Sequence, residues 1–354
     1  MRVVITGASG NLGTATLRRL AQAGHKLVGL ARRPPQPGIL DGQVDWLSVD
    51  LTQDSCLPML QGSMHGADAV VHLAWGFQPS HNERYLEELG VGGTRRVLLA
   101  MTRAGVPHLV HLSSMGAYSP KHDDSPVGED WPTDGVRTSP YSRHKVAAER
   151  LLDAHQADGG PTLISRMRPG IIGQRSAGSA LLRYGVPALV PSVLMDHVPV
   201  LPLDRRLALP MVHADDVADA ISRELERRIG GAFNLAAEPA ITTAAIARAL
   251  GARAVHVPSS LLRPALSLAW HARLEQVDPG WLDLAFALPL LDTTRARTEL
   301  AWAPTVDAET VLAEVLAGMR DRASGRTPAL RPRRVLDALR DAVAHGAVGR
   351  RDTP

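Results

Sequence analysis

A tyrosine followed four positions later by a lysine, Tyr141-Ser-Arg-His-Lys145, is the pairing in this sequence best suited to proton transfer. With four tyrosines and three lysines (Lys26, Lys121, Lys145) in 354 residues, that spacing is expected by chance only about 0.03 times. Positions i and i+4 share one face of a helix. An ammonium there would lower the pKa of the neighbouring phenol from its usual value near 10. Upstream, Leu112-Ser113-Ser114 closes an apolar strand pattern, and a hydroxyl at Ser114 could hold a substrate oxygen for Tyr141 to protonate.

The first thirteen residues carry a second chemistry. An apolar run passes directly into Gly7-Ala-Ser9-Gly10-Asn11-Leu12-Gly13. Gly7 suits a tight turn, Gly10 offers no Cβ to obstruct a pyrophosphate, and Gly13 lets a helix pack close to the sheet. A helix from Asn11 to Ala23 would aim its N-terminal N–H groups at phosphates. Three glycines are a weak signal in a chain with 31; a strand before them and a helix after them strengthen it. At the end of the second strand pattern, Ala31-Arg32-Arg33-Pro34 has no acidic residue for a ribose 2′-hydroxyl and two arginines suited to a 2′-phosphate, unless the pair is merely solvated.

These residues need elements to hold them. Strands are expected at Val3–Ile5, Lys26–Ala31, Val44–Ser48, Ala69–Leu73, His108–Ser113 and Thr162–Met167, with helices at Leu12–Ala23, Tyr85–Ala104 and Tyr141–Ala157. Such alternation implies βαβ units and a parallel sheet with ligand at the carboxyl ends of its strands. Beyond Arg168-Pro169 the prolines at 187, 191, 199, 202 and 210 break long helices. We therefore expect a dinucleotide-binding domain over 1–170 with later segments, about 211–240, returning to it. A substrate lobe over 171–319 and a basic extension over 320–354 would complete the chain.

The glycine turn, Ser114, Tyr141 and Lys145 occur in the order and spacing of the extended short-chain dehydrogenase/reductases, the NAD-dependent epimerase/dehydratase family, and the sequence resembles that family from Met1 to about Met319. Asp50-Leu51 is similar to its adenine contact, and His72-Leu73-Ala74 to its fourth-strand cofactor contact. Arg168-Pro169-Gly-Ile-Ile-Gly173 is similar to its sixth-strand motif. Met211-Val-His-Ala-Asp-Asp216 and Asp292–Pro304 resemble two later signatures. The resemblance implies an α/β, doubly wound parallel sheet (Rossmann) with a smaller C-terminal substrate lobe. It also implies that Ser114 orients the carbonyl, that Tyr141 is the acid or base, and that Lys145 contacts the nicotinamide ribose. Three departures stand out. Gly90 replaces an asparagine linked to a relay water, so the relay must use another donor or run less efficiently. Met115 stands where dehydratases carry an acid, which disfavours elimination. Gly170 replaces an asparagine of many sugar-nucleotide enzymes and is closer to steroid and flavonoid reductases.

Composition bounds the rest. One cysteine, Cys56, excludes a disulfide framework and points to a reducing, cytoplasmic setting. The sequence opens in a strand pattern, so no signal peptide is expected, and the best apolar runs, Val186–Val200 and Ser259–Trp270, carry charges or prolines, so no membrane partner is expected either. The pI of about 9.3 belongs to the tail. Residues 320–354 hold nine arginines and four aspartates, a local +5 against −2 for the rest, which reads as a solvated tail with one amphipathic helix over Arg333–Ala344 rather than a nucleic-acid site. His72, His111 and His213 read as satisfied structural residues, and no metal site is expected. Trp75 and Phe77 could floor a substrate pocket or simply pack.

The reading is an oxidoreductase, NADP(H) preferred over NAD(H), that reduces a ketone or oxidises a secondary alcohol on a small organic substrate with an apolar body, with room for a homodimer. Its rivals are a nucleotide-sugar 4-epimerase and a cofactor-sensing regulatory protein without turnover.

Overall fold

A computed structural model of the chain describes residues 1–35, 42–76, 81–160, 162–185, 198–272 and 277–332. Phe77, the segment 186–197 and the tail helix expected over Arg333–Ala344 lie outside the described residues.

Seven parallel strands form the central sheet: β1 Arg2–Thr6, β2 Lys26–Ala31, β3 Val44–Ser48, β4 Ala69–His72, β5 His108–Leu112, β6 Leu163–Pro169 and, after three further strands, β10 Gly231–Leu235. Their order is β10-β6-β5-β4-β1-β2-β3. The chain steps from β3 back across β1 to β4, so strand order reverses between β1 and β4, and a crevice opens there at the carboxyl edge. The inner strands are short runs buried on both faces, as a parallel sheet requires, whereas the edge strand β3 leaves Asp45 and Ser48 exposed. Val3, Val4 and Ile5 of β1 and Leu109 and Val110 of β5 are fully buried.

Helices cover both faces. On one, α1 Asn11–Gln22 packs against α7 Ala214–Arg227, with Leu17, Leu20, Val217 and Ile221 in a shared core. On the other lie α2 Leu57–Met64, α4 Gly93–Ala104 and α5 Pro140–Ala157. The helix expected over Tyr85–Ala104 is broken: α3 Glu83–Glu87 leads into a π-helical turn, Glu88–Gly92, before α4 begins. Two glycines in that turn, Gly90 and Gly92, lower the cost of leaving the regular ladder.

The second lobe is built from β7 Ile171–Gly173, α6 Gly178–Gly185, β8 Val200–Leu203, β9 Ala208–His213, β11 Ala237–Thr242, α8 Thr243–Leu250, β12 Arg253–His256, α9 Ser259–His271 and α10 Pro279–Ala287. Two small sheets, β11-β9-β7 and β12-β8, organise it. Between α11 Thr294–Glu299 and α12 Ala308–Arg320, the chain meets the first lobe again. Trp302 buries its ring beside α7 and donates from Nε1 to the Asp216 carbonyl at 2.8 Å, while the Asp216 carboxylate accepts from Thr305 N and Oγ1 at 2.9 and 2.6 Å. The two late signatures thus fasten one another.

Residues 320–332 are no detached appendage, contrary to the sequence reading. Leu330 is buried, Ser179 Oγ donates to the Arg322 carbonyl at 2.6 Å, and Thr327 Oγ1 donates to the Ser9 carbonyl in the glycine turn at 2.7 Å. Charge content suggested solvent; a few small and apolar residues among the arginines decide the packing.

Candidate active site

The glycine turn has the shape a dinucleotide needs. Gly7 has φ +69, and a Cβ on it would lie 2.6 Å from the Ala74 nitrogen; a Cβ on Gly13 would strike the Gly7 carbonyl. A Cβ on Gly10, by contrast, would have only the Gly7 carbonyl nearby, at 3.2 Å, and otherwise face open space. Helix α1 starts there with no acidic residue in its first turn and no side-chain cap, so its positive end is left for an anion. This cradle fits a pyrophosphate.

Most other expected cofactor residues lie at or just after the carboxyl ends of β2, β3, β4 and β6. Leu12, Leu51 and Leu73 are buried core residues. Asn11 turns its side chain toward the second lobe, accepting from Gln174 Nε2 at 2.6 Å. The Ser9 carbonyl accepts from Thr327, and the Asp50 carboxylate is taken up by Thr52 N and Oγ1 at 3.0 and 2.8 Å. Ala74 N donates to Thr6 Oγ1 at 3.3 Å, and Pro169 ends β6 beside Leu235. Arg32 follows β2 and donates from Nη1 to Tyr85 Oη at 2.6 Å, which fixes its direction. Arg33 is exposed; its pKa is lowered by partial burial and by two neighbouring cations, Arg32 and Arg331. Arg331, supplied by the tail, had no signal in the sequence.

Ser114, Tyr141 and Lys145 converge at the carboxyl end of β5. Ser114 caps a short 3₁₀ turn, Met115–Ala117, accepting from Gly116 N at 3.0 Å, and its hydroxyl is hydrogen-bonded to Tyr141. Helix α5 is started by Ser139 as N-cap and Pro140 in its first turn. Ser142 pins that turn in place, donating from Oγ to the Gly116 carbonyl at 2.6 Å and accepting from Val136 N at 2.7 Å. Gly116 is needed at this contact, since a Cβ there would lie 2.8 Å from Tyr141 Cε1. One helical turn on, Lys145 is buried and donates from Nζ to the Leu112 carbonyl at 2.8 Å.

The electrostatics differ from the sequence reading. Burial pushes the Tyr141 phenol up to about 12, only partly opposed by its bond to Ser114, and pulls the Lys145 ammonium down to about 7, opposed by Glu149. The lysine does not lower the phenol here, because Nζ lies 5.9 Å from the Tyr141 ring centroid and desolvation outweighs the charge at that range. Tyr141 is therefore a protonated phenol at neutral pH.

Beneath the site runs a buried network that the motifs did not reveal. Glu149 accepts from Arg168 Nε and Nη2 at 2.9 and 2.5 Å and from the Ser113 hydroxyl. Arg168 Nη1 donates to Tyr118 Oη at 3.1 Å and to the Glu129 carbonyl at 2.9 Å. Glu149 lies at i+4 from Lys145 and i+8 from Tyr141, the one clue to it in the sequence. Gly170 is explained by crowding: a Cβ there would lie 2.5 Å from the Pro210 carbonyl oxygen. Trp75 packs on Lys145 and Gly90. His72 is satisfied by Thr6 and Thr94, and His213 caps α7. His111 departs from expectation, being buried with neither ring nitrogen hydrogen-bonded.

A pocket opens beside Tyr141, walled by Leu86, Pro140, Trp270 and Trp281, with His81, Glu83, His144 and Asp278 among its lining groups. Trp281 lies 5.0 Å from the Tyr141 ring and His81 stacks on Trp270 at 3.4 Å. Glu83 is paired with Arg143 at 2.5 Å, and burial raises the Asp278 carboxyl. Among the described residues no group of three or more His, Cys, Asp or Glu could hold a metal ion, and no helix is long and apolar enough to cross a membrane.

A switch-point crevice, a glycine cradle and a serine, tyrosine and lysine on adjoining elements define a dinucleotide-binding enzyme of the short-chain dehydrogenase/reductase type. Residues 3–236 match the model of the NAD dependent epimerase/dehydratase family, and the chain belongs to that family. An uncharacterized protein of Mycobacterium tuberculosis (strain H37Rv) is 27% identical over 324 residues, covering 91% of this chain but only 30% of that protein's length. A UDP-glucose 4-epimerase of Streptomyces lividans is 27% identical over 199 residues, 54% of this chain and 59% of that one. In fold, the chain is similar to a UDP-glucose-4-epimerase from Stenotrophomonas maltophila solved with NAD and formylated UDP-arabinopyranose, with a TM-score of 0.69 at 20% identity over 91% of this chain and 98% of that one.

Proposed function

We propose that the chain transfers hydride between a nicotinamide dinucleotide and a secondary carbinol carbon, with Tyr141 moving the proton at the carbinol oxygen. The observation that carries this reading is the convergence of Ser114, Tyr141 and Lys145 at the carboxyl edge of β5, beside an aromatic pocket. When bound, the nicotinamide supplies or accepts the hydride at C4. The chain does the rest. The glycine turn and the start of α1 hold the pyrophosphate, Ser114 donates a hydrogen bond to the substrate oxygen, and Tyr141 delivers or takes its proton. Lys145 binds ribose hydroxyls and offsets negative charge on the phenolate left after transfer. Arg32, oriented by Tyr85, and Arg33 favour a 2′-phosphate, so NADP(H) is the proposed preference.

Two reactions use this machinery. The named relative and the structural neighbour are UDP-glucose 4-epimerases, which makes nucleotide-sugar 4-epimerisation the first reading. The same carbon is then oxidised and re-reduced without net cofactor turnover, and the pocket takes a neutral sugar ring whose hydroxyls face Glu83 and Asp278. Net ketone reduction is the second reading, favoured by the indole and alkyl walls and by the lack of room for any side chain at Gly170. One experiment tests both. The purified chain is given nicotinamide cofactor and either UDP-glucose alone or a panel of ketones, with sugar products and cofactor absorbance followed together. Galactose epimer without net reduction supports the first, stoichiometric NADPH consumption the second. Cofactor binding with neither reaction would refute hydride transfer and leave a cofactor sensor.

A further inference from the structure

Trp75 follows β4 and lays its indole against both members of the tyrosine–lysine pair. Lys145 Nζ sits 3.5 Å from the centre of the Trp75 ring, and the same ring meets Tyr141 edge-on, 6.4 Å between centroids at 80°. The opposite wall is Gly90 in the π-helical turn. A Cβ on Gly90 would come within 3.0 Å of Trp75 Cη2 and Cζ2 and 3.2 Å of Cζ3, so any larger residue would push the indole off the ammonium.

A chain of buried hydrogen bonds fixes the two walls relative to each other. Ala74 N, one residue before Trp75, donates to Thr6 Oγ1 at 3.3 Å, and the Thr6 hydroxyl donates to His72 Nδ1 at 2.6 Å. His72 Nε2 donates to Thr94 Oγ1 at 3.1 Å, and the Thr94 hydroxyl donates to the Gly90 carbonyl at 2.7 Å. Every link has a donor and an acceptor when His72 is neutral, and burial, with Lys145 nearby, pushes its pKa down to about 3. The backbone on both sides of the ring is held by this chain.

We propose that Trp75 is the positioning residue for Lys145: its ring face holds the ammonium in place and favours its charged form, and Gly90 is a glycine because it must make room for that ring. This deepens the hydride-transfer reading and rests on it for its functional meaning. The ammonium has three N–H groups, of which the Leu112 carbonyl takes one. A desolvated ammonium gains from an aromatic face that an aliphatic wall does not provide. The titratable groups around it are Tyr141 and Glu149 on α5, His72 on β4 and His111 on β5. Both histidines are held neutral by burial, and Glu149 is paired with Arg168. Glu88, in the π-helical turn, is paired with Arg96.

The test reads Lys145 directly. With three lysines in the chain, a protein labelled with ¹³C at lysine Cε gives three resonances, and Lys145→Arg assigns the one of interest. In the full chain the Lys145 titration should fall by about one pH unit in Trp75→Leu, which keeps an apolar wall but no ring face, and by less than about half a unit in Trp75→Phe. The alkaline limb of reductive turnover should move by the same amount, with kcat above neutrality down by up to about tenfold, KM within a few-fold, and phenylalanine restoring most of the loss. If Trp75→Leu does not fold, 5-fluorotryptophan throughout the chain, which weakens the ring face with little change of shape, should lower the titration in the parent and leave Trp75→Phe unchanged. A Lys145 titration identical with and without the indole overturns the proposal. Absence of any hydride transfer, with the shift intact, would instead remove the functional reading and leave the lysine contact standing.

Discussion

Gly116→Ala is the smallest change that should separate Tyr141 from Ser114. The new methyl would lie 2.8 Å from Tyr141 Cε1 and 3.3 Å from Ser114 Oγ. Carbon atoms rest at about 3.5–4.0 Å, so the phenol ring must retreat by roughly 0.7 Å or more. It has little room, with Trp281 at 5.0 Å and Trp75 edge-on at 6.4 Å. Overpacking of this kind costs about 1–3 kcal/mol of stability, and a displacement near 1 Å at a reacting group costs about 10²-fold in rate. Gly116→Ala should therefore lose about two orders of magnitude in kcat, while cofactor affinity, set mainly at the glycine turn, changes less than about threefold. Steady-state kinetics, cofactor titration and urea unfolding of the purified variant decide it. Turnover within twofold of the parent, with an unchanged urea midpoint, would show that the Tyr141 ring is not held where the structure has it.

Arg32→Ala with Arg33→Ala should weaken NADPH far more than NADH, because only the former carries the 2′-phosphate a guanidinium can grip; equal losses in a fluorescence titration would assign the arginines another task. Glu149→Ala leaves the Arg168 guanidinium buried without its carboxylate and should cost about 3–5 kcal/mol in urea unfolding, whereas a loss below about 1 kcal/mol would mean the network is not buried. Burial raises the Glu149 pKa, but its bonds to Arg168 and Ser113 prevail and hold it below the ordinary value. Its contribution is thus present above the unfolded value of about 4.3 and is lost as pH falls through the lower folded value, so Glu149→Gln should flatten that part of the acid-unfolding curve.

What was legible in the sequence is what neighbouring residues encode together. Val3–Ile5 running into Gly7, Gly10 and Gly13 names a strand, a turn and a helix within one short stretch, and the four-residue step from Tyr141 to Lys145 puts both on one face of α5. Each of the first six strands of the central sheet was readable from a largely apolar run of three to six residues. Relations across the fold were not. Trp75 and Lys145 are seventy residues apart, and only the fold shows that Gly90 and Trp75 are complementary shapes. The phenol pKa depends on how deeply Tyr141 is buried, a property no local pattern carries. The arginine-rich composition of 320–332 hid Thr327 and Leu330, which hold that segment against the glycine turn and the second lobe.

The central claim is that hydride passes between nicotinamide and a carbinol carbon under proton transfer by Tyr141. Its most direct test is deuterium transfer from C4-deuterated reduced cofactor to a panel of ketones and 4-keto nucleotide sugars, read by mass spectrometry for the parent and Tyr141→Phe. The account predicts deuterium at the product carbinol carbon with the parent, and a rate about 10²–10⁴-fold lower with Tyr141→Phe. Transfer at equal rates in the two proteins, or none from either despite bound cofactor, would contradict it.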